Sequence, residues 1–369
     1  MTPQIASARL LVVKIGSALV VDQAVPRAAW LDGVAADIAA ARARGTQVIV
    51  VSSGAIALAR TALGLGRKRL RLEEKQAAAA VGQIRLAQAW TEALSRQGLV
   101  AAQLLLTLED TEDRRRYLNA RATLSTLLGL GCIPVINEND TVATAEIRFG
   151  DNDRLAARVA EMVQADQLLL LSDIDGLYTA DPKREPAAAH IPVVETLTPE
   201  IESMGGEPPP GYSSGGMRTK LVAARIATQA GCAMAIALGH TDHPLEALVT
   251  GARCTWFLPA AEGRSARKRW IAGSLQPAGA FVVDAGAARA LAAGRSLLPA
   301  GVRAVEGEFE RGDPVLIRTG DGAVVGRGLS AYASTDATRI AGHRSEEIEA
   351  ILGWRGRDEI IHRDDLTLV

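Results

Sequence analysis

A layered α/β fold with a mainly parallel sheet is the class this sequence predicts, and three observations predict it. From residue 10 to about 240, short β-branched or Leu-rich runs alternate with longer Ala-rich stretches of helical period. The short runs are apolar throughout, which is the pattern of strands buried on both faces. Aromatic residues make up only 4% of the chain, so Ala, Val, Leu and Ile must fill the core. Such residues suit helix-on-sheet layers better than an aromatic-rich all-β domain.

The strands are expected at Leu10–Ile15, Gln47–Val51, Val100–Leu106, Ile133–Ile136, Gln167–Leu171 and Ala233–Leu238. Between them, helical stretches are expected around Arg27–Arg44, Glu73–Arg96, Arg114–Leu128, Asn152–Gln164 and Gly216–Ala230. Together these make a three-layer sandwich. After about residue 258 the character changes. Residues 259–276 are polar and basic, with Arg264, Arg267, Lys268 and Arg269, and read as a solvated linker. Short glycine-cut runs follow: AFVVD (280–284), VRAVEGEF (302–309), DPVLIR (313–318) and AVVGRGLSAYAS (323–334). They predict a small β-rich domain ending in a helix, Ser345–Leu352. The expected organisation is therefore a large domain over 1–258, a linker over 259–276 and a small domain with a C-terminal tail over 277–369, and 369 residues suffice for two domains.

Composition narrows the function. Apolar residues are 48%, charged residues 22% and the net charge is −1, so no bulk field draws the chain onto nucleic acid or membrane. Cys132, Cys232 and Cys254 are too sparse for a disulfide framework or a zinc knuckle, and the histidines form no HExxH. Leu10 to Val21 has the apolarity of a signal-peptide core, but Lys14 interrupts it and no clean A-x-A follows. No other run reaches the length of a membrane span. A soluble cytoplasmic protein is expected.

Chemistry-bearing residues gather where strands end. There is no GxxxxGK[ST] loop and no GxGxxG after a strand, so a nucleotide enzyme must hold phosphates by other means. Lys14 ends the first strand and precedes Gly16 and Ser17, a setting suited to an oxyanion. In VVSSGAIA (50–57), Ser52, Ser53 and Gly54 end a strand and open a helix, so hydroxyls and free amides can hold a small anion. INENDTVA (136–143) and FGDNDRLAA (149–157) put Asn137, Glu138, Asn139 and Asp140 near Asp151, Asn152 and Asp153. That cluster can hold an ammonium group, orient lysines, or help bind Mg²⁺ through water and substrate oxygens. LLLLSDIDGLYTADP (168–182) places Ser172 and Asp173 at a strand end, where a nucleotide lies in such sheets. Its DxDG lacks the acidic twelfth residue and the preceding helix of a calcium loop. SSGGMRTKLVAA (213–224) opens a helix with a Gly215–Gly216 nest, and Lys220 lies about one turn in, within reach of phosphates held there.

In content and order, these six blocks resemble the amino acid kinase superfamily, most closely its glutamate 5-kinase branch, and the segment from about Pro277 resembles a PUA domain. The resemblance covers nearly the whole chain. It implies an amino acid kinase-like sandwich with a PUA-like tail, and transfer of phosphate from ATP to the γ-carboxylate of L-glutamate, the first step of proline biosynthesis. It implies that Lys14 contacts the transferred phosphoryl group and that Lys220 stabilises the transition state from the ATP side. Asp153 would orient the lysines, with Asp151 a nearby acid linked to substrate binding. Ser53, Asp140 and Asn152 fall on glutamate-binding positions. Ser172, Asp173, Ser214, Gly215, Gly216, Met217, Arg218, Thr219, Lys220 and Lys14 fall on ATP-binding ones. Mg²⁺ would arrive with ATP, with no direct protein ligand. Further implied partners are proline as an allosteric ligand, a second copy of the chain (the long helix Glu73–Arg96 offers a face), and RNA at the PUA-like domain. The chain departs from the pattern at Ser52 and Ser172, where Thr is usual, and in the Pro-rich segment Gly205–Tyr212.

The physics agrees with that implication. A γ-carboxylate is already a nucleophile near neutral pH and needs no general base, so the difficulty is an anion attacking a polyanion. Two readings compete. One is a sister kinase acting on N-acetylglutamate, aspartate, carbamate or UMP; Asp140 beside Asn137 suits a free ammonium, which an acetylated substrate lacks. The other is an RNA-binding protein working through its tail. There Arg295, Arg303, Arg311 and Arg318 are interleaved with Glu306, Glu308 and Glu310, so no strong phosphate footprint emerges.

Overall fold

The computed structural model describes residues 3–66, 70–143, 151–206, 216–260 and 277–368, with nothing said of the Asp151 side chain. The chain divides into two compact units, Met1–Gly263 and Arg264–Val369. The expected linker over 259–276 lies almost wholly outside the described residues.

In the first unit the strands are β1 (Leu10–Ile15), β2 (Val21–Asp22), β3 (Val25–Pro26), β4 (Gln47–Ser52), β5 (Ala101–Leu106), β6 (Ile133–Glu138), β7 (Gln167–Ser172), β8 (Leu177–Tyr178), β9 (His190–Ile191), β10 (Val193–Val194), β11 (Ala233–Leu238) and β12 (Cys254–Phe257). The helices used below are α1 (Ser17–Val20), α2 (Ala28–Ala43), α3 (Ala55–Ala59), α4 (Leu72–Arg96), α5 (Leu108–Glu112), α6 (Arg114–Gly129), α7 (Asp151–Val163), α8 (Pro199–Ser203), α9 (Met217–Gln229) and α10 (Pro244–Val249). Eight strands form one sheet in the order β10-β12-β11-β7-β1-β4-β6-β5. The six expected strands are all parallel to one another, whereas β12 runs antiparallel to β11 and carries β10 as a short edge. Those two edge strands have only four and two residues, too short to stand out as runs.

The continuous apolar runs are explained by where alternate side chains go. Leu11, Val13, Ile15, Val48, Val50, Leu169 and Leu171 enter one core, with Trp30, Leu31 and Ile38 of α2 and Leu86, Trp90 and Leu94 of α4. Val12, Ile49, Val51, Leu168 and Leu170 enter the other, with Leu124 of α6, Leu155 and Val159 of α7 and Leu221 of α9. A period of two across a sheet covered on both faces gives three layers, as expected from the sequence. The parallel register then brings strand ends level: Lys14 pairs with Val51 and Leu170, Ile15 with Ser52, and Leu238 with Ser172.

The second unit is a five-stranded sheet, β14 (Val302–Gly307), β13 (Gly279–Val283), β15 (Pro314–Thr319), β16 (Val324–Leu329) and β17 (Leu366–Leu368), in that spatial order. Its own core includes Phe281, Leu291, Val315, Ile317, Tyr332, Ile340 and Ile361. The sequence reading needs correction here. The unit does not end in a helix: Ser345–Leu352 begins as a 3₁₀ turn, continues as an α-helix from Ile348, and the chain returns as β17 to pair with β16. Two short helices, Ala285–Ala292 and Ser334–Ile340, were also not foreseen. Among the described residues, no helix is long and apolar enough to cross a membrane.

Candidate active site

The strand ends of β1, β4, β6 and β7 and the first turns of α7 and α9 converge on one region. Its centre is Asp153, fully buried in the first turn of α7. Lys14, at the end of β1, places Nζ 2.5 Å from Asp153 Oδ1. Lys220, in the first turn of α9, places Nζ 3.3 Å from Asp153 Oδ2. Thr219 Oγ1 donates to the same Oδ2 at 2.9 Å. Two ammonium groups from residues 206 positions apart thus share one carboxylate (220 minus 14). Lys14 and Lys220 are themselves only 7% and 6% exposed. Burial alone would raise the Asp153 carboxyl; the Lys14 ammonium and then that of Lys220 outweigh it and hold the group below the usual carboxylate range. One negative and two positive charges leave a buried surplus of one, which suits a transferring phosphoryl group.

Beside this centre lies a row of neutral groups. Asn152 Nδ2 donates to Ser53 Oγ at 2.7 Å and to Asn137 Oδ1 at 3.2 Å. Asn137 Nδ2 in turn donates to Gln83 Oε1 at 2.8 Å. Ser53 reaches this position because Gly54, at φ +130°, turns the chain from β4 into α3 against Val20 and Val21. Asp140 is buried at 8% exposure in the turn after β6, which is closed by Ala143 N–H donating to Asn139 O.

Ser172 ends β7 with its hydroxyl donating to Asp173 Oδ1 at 3.0 Å, and its carbonyl accepts from Gly239 N–H at 2.8 Å. Gly216 caps α9, and Met217 and Arg218 occupy its first turn. The expected ATP residues Ser214 and Gly215, and the side chain of Asp151, lie outside the described residues. Thr219, expected on ATP, has its hydroxyl turned to Asp153.

Helix α4 is where the sequence predicts a helix, around Glu73–Arg96, but its part in the site was not read. Gln76 Nε2 donates to Ala143 O at 3.2 Å, Gln83 meets Asn137, and Trp90 Nε1 donates to Ser52 Oγ at 2.9 Å. These three residues are spaced by seven, two turns apart on one helix face, and that spacing in an Ala-rich stretch was a readable signal. The helix comes close because Gly82 faces Ala55 of α3, whose carbonyl oxygen a Cβ would meet at 1.7 Å.

A three-layer sheet whose strand ends bring two lysines to one buried aspartate is suited to a protein that handles a phosphoryl group. The Amino acid kinase family model matches residues 9–237 and the PUA domain model matches 279–352. The fold is also that of the carbamate kinase from Giardia lamblia bound to AMP-PNP, with TM-score 0.51 and 15% identity over 69% of this chain and 100% of that one. The chain belongs to the amino acid kinase family and, within it, to the glutamate 5-kinases. It is 64% identical to the glutamate 5-kinase of Paramagnetospirillum magneticum over 99% of both chains, and 66% identical to that of Gluconobacter oxydans over 99% of this chain and 97% of that one.

Proposed function

We propose that this protein transfers the γ-phosphoryl group of ATP to the γ-carboxylate of L-glutamate, giving γ-glutamyl phosphate and ADP, the first step of proline biosynthesis. The observation that carries the reading is the pair of buried ammonium groups on Asp153. Lys14 neutralises charge on the transferring phosphoryl from the acceptor side and Lys220 does so from the nucleotide side. Asp153 holds both in place, since a mobile ammonium is a poorly positioned charge. Thr219 fixes the second carboxylate oxygen. Ser53, Asn152 and Asp140 hold glutamate, with Asp140 facing its ammonium and Asp151 nearby. Ser172, Asp173 and the segment 214–220 receive the nucleotide.

Mg²⁺ would enter with the ATP phosphates and add to charge neutralisation. Among the described residues, no group of three or more His, Cys, Asp or Glu is placed to hold a metal. The deciding experiment measures ADP release with L-glutamate, N-acetylglutamate and L-aspartate in turn, trapping the acyl phosphate with hydroxylamine. Hydroxamate formation with glutamate alone is expected. Comparable rates with N-acetylglutamate would mean the amino group is not recognised.

Val81 and Ile84 on α4 are exposed, Ile84 to 72%, on a face turned away from Gln83. That face is the one through which a second copy would pack, and Ile84→Asp should then lower the mass measured by light scattering.

A further inference from the structure

The row of neutral side chains beside Asp153 has a direction, and α4 sets it. Every side-chain amide has one accepting end and one donating end. Gln83 presents its Oε1 to Asn137 Nδ2, so Asn137 must turn its own Oδ1 towards Asn152. Asn152 answers with Nδ2, and its other Nδ2 hydrogen goes to Ser53 Oγ. Both donors of Asn152 are therefore committed. Its Oδ1 is buried and has no hydrogen-bond partner among the described residues.

We infer that Gln83 is a positioning residue that fixes the polarity of the Gln83–Asn137–Asn152 row, so that the row ends in an acceptor reserved for the substrate's α-ammonium. This rests on the glutamate kinase reading above. A buried acceptor demands a donor. If Gln83 presented its NH₂ instead, every amide in the row would turn over, and Asn152 would offer N–H groups to a positively charged group. Asp140 can attract an ammonium by charge, but charge is not directional. The Asn152 carbonyl supplies the direction, and Gln83, which is too far along the row to touch substrate, decides that a carbonyl is what stands there. The anchor is rigid, because the same helix face is tied down by Gln76 on one side and Trp90 on the other.

The test uses two variants of the full-length chain. Gln83→Met keeps the length of the side chain and removes the acceptor; Gln83→Glu keeps an acceptor and cannot donate when ionised. Gln83→Met is expected to raise the glutamate KM by about tenfold or more, with the ATP KM nearly unchanged and the melting temperature lowered by no more than the few degrees that one stranded amide donor costs. Gln83→Glu is expected to stay within about threefold of wild type. A glutamate KM for Gln83→Met within about twofold of wild type would overturn the inference. So would a Gln83→Glu variant as impaired as Gln83→Met, or a rise in both KM values with a fall in melting temperature, which would make Gln83 a structural residue only. A wild-type protein with no glutamate-dependent ADP release would instead sink the functional reading itself.

Discussion

The two ends of the site solve different problems with different chemistry. At the end proposed to take the phosphoryl group, Lys14, Asp153 and Lys220 bury three charges within a few ångströms. At the proposed acceptor end, Ser53, Asn152, Asn137 and Gln83 line up neutral, partly buried dipoles in a row. Charge in a low-dielectric pocket acts strongly but without direction, which suits a polyanion whose charge redistributes over several oxygens. Neutral hydrogen bonds act weakly but directionally, which suits telling one amino diacid from another. Damage at the first end should therefore appear in turnover and acid stability, and damage at the second in the KM for the amino acid.

Asp153→Asn should have the largest effect, because it removes the carboxylate charge that both buried ammonium groups contact. Leaving a buried charge without its partner costs about 3–5 kcal/mol, and turnover should fall by about 10³-fold or more. Because the folded carboxyl titrates below its ordinary value, its contribution is complete above the unfolded carboxylate range and is lost as pH falls through the depressed folded value. Melting curves from neutral to acidic pH should show wild type losing this increment on acidification and Asp153→Asn lacking it throughout. An unchanged melting temperature and turnover would mean the lysines are held by something else.

Lys220→Ala comes next. It leaves the Lys14–Asp153 pair intact, so the protein should fold, while kcat falls by about 10²–10³ and the glutamate KM moves by less than about threefold. Near-normal turnover would remove Lys220 from the mechanism. Asp140→Ala probes the charge proposed to face the substrate's ammonium. Loss of a charge-assisted hydrogen bond to the substrate ammonium should raise the glutamate KM by roughly 10–100-fold with little change in the ATP KM. An unchanged glutamate KM would place the amino group elsewhere.

How much of this was written in the sequence follows the same divide. The charged end was legible because each residue sits in a motif with its own physical reason: Lys14 at a strand end before glycine, Lys220 a turn into a helix after paired glycines, Asp153 at a helix start. The three-layer architecture was legible because apolar runs of strand length have no other stable use between helices. The row behind Asn152 was not read: the seven-residue spacing of Gln76, Gln83 and Trp90 marks one face of α4, but only the fold shows that this face meets Asn137. The contact between the Thr219 hydroxyl and Asp153 was not legible either, because position alone places Thr219 in the anion loop and only the fold brings Asp153 to it. In the second unit, β17 was hidden by its length, three residues that form a strand only because β16 offers a free edge.

The smallest expected effect tests whether α4 is held to β4 by its hydrogen bond or by apolar packing alone. Trp90 and Ser52 are both fully buried, and the indole N–H donates to a hydroxyl that in turn donates to the Ser53 carbonyl. Ser52→Ala strands the indole N–H without an acceptor. Trp90→Phe loses the donor and some volume. Each should cost about 1–3 kcal/mol, or a few degrees of melting temperature for a unit of this size, with kcat and both KM values within about twofold of wild type. In the double variant the indole N–H and its acceptor are both gone, so its cost should match the worse single variant rather than the sum. Strict additivity would mean the bond contributes nothing and that packing positions the helix. A change in glutamate KM in either single variant would mean that the neutral row extends through Ser52 to Trp90, and the boundary between scaffold and site would have to move one residue deeper into the core.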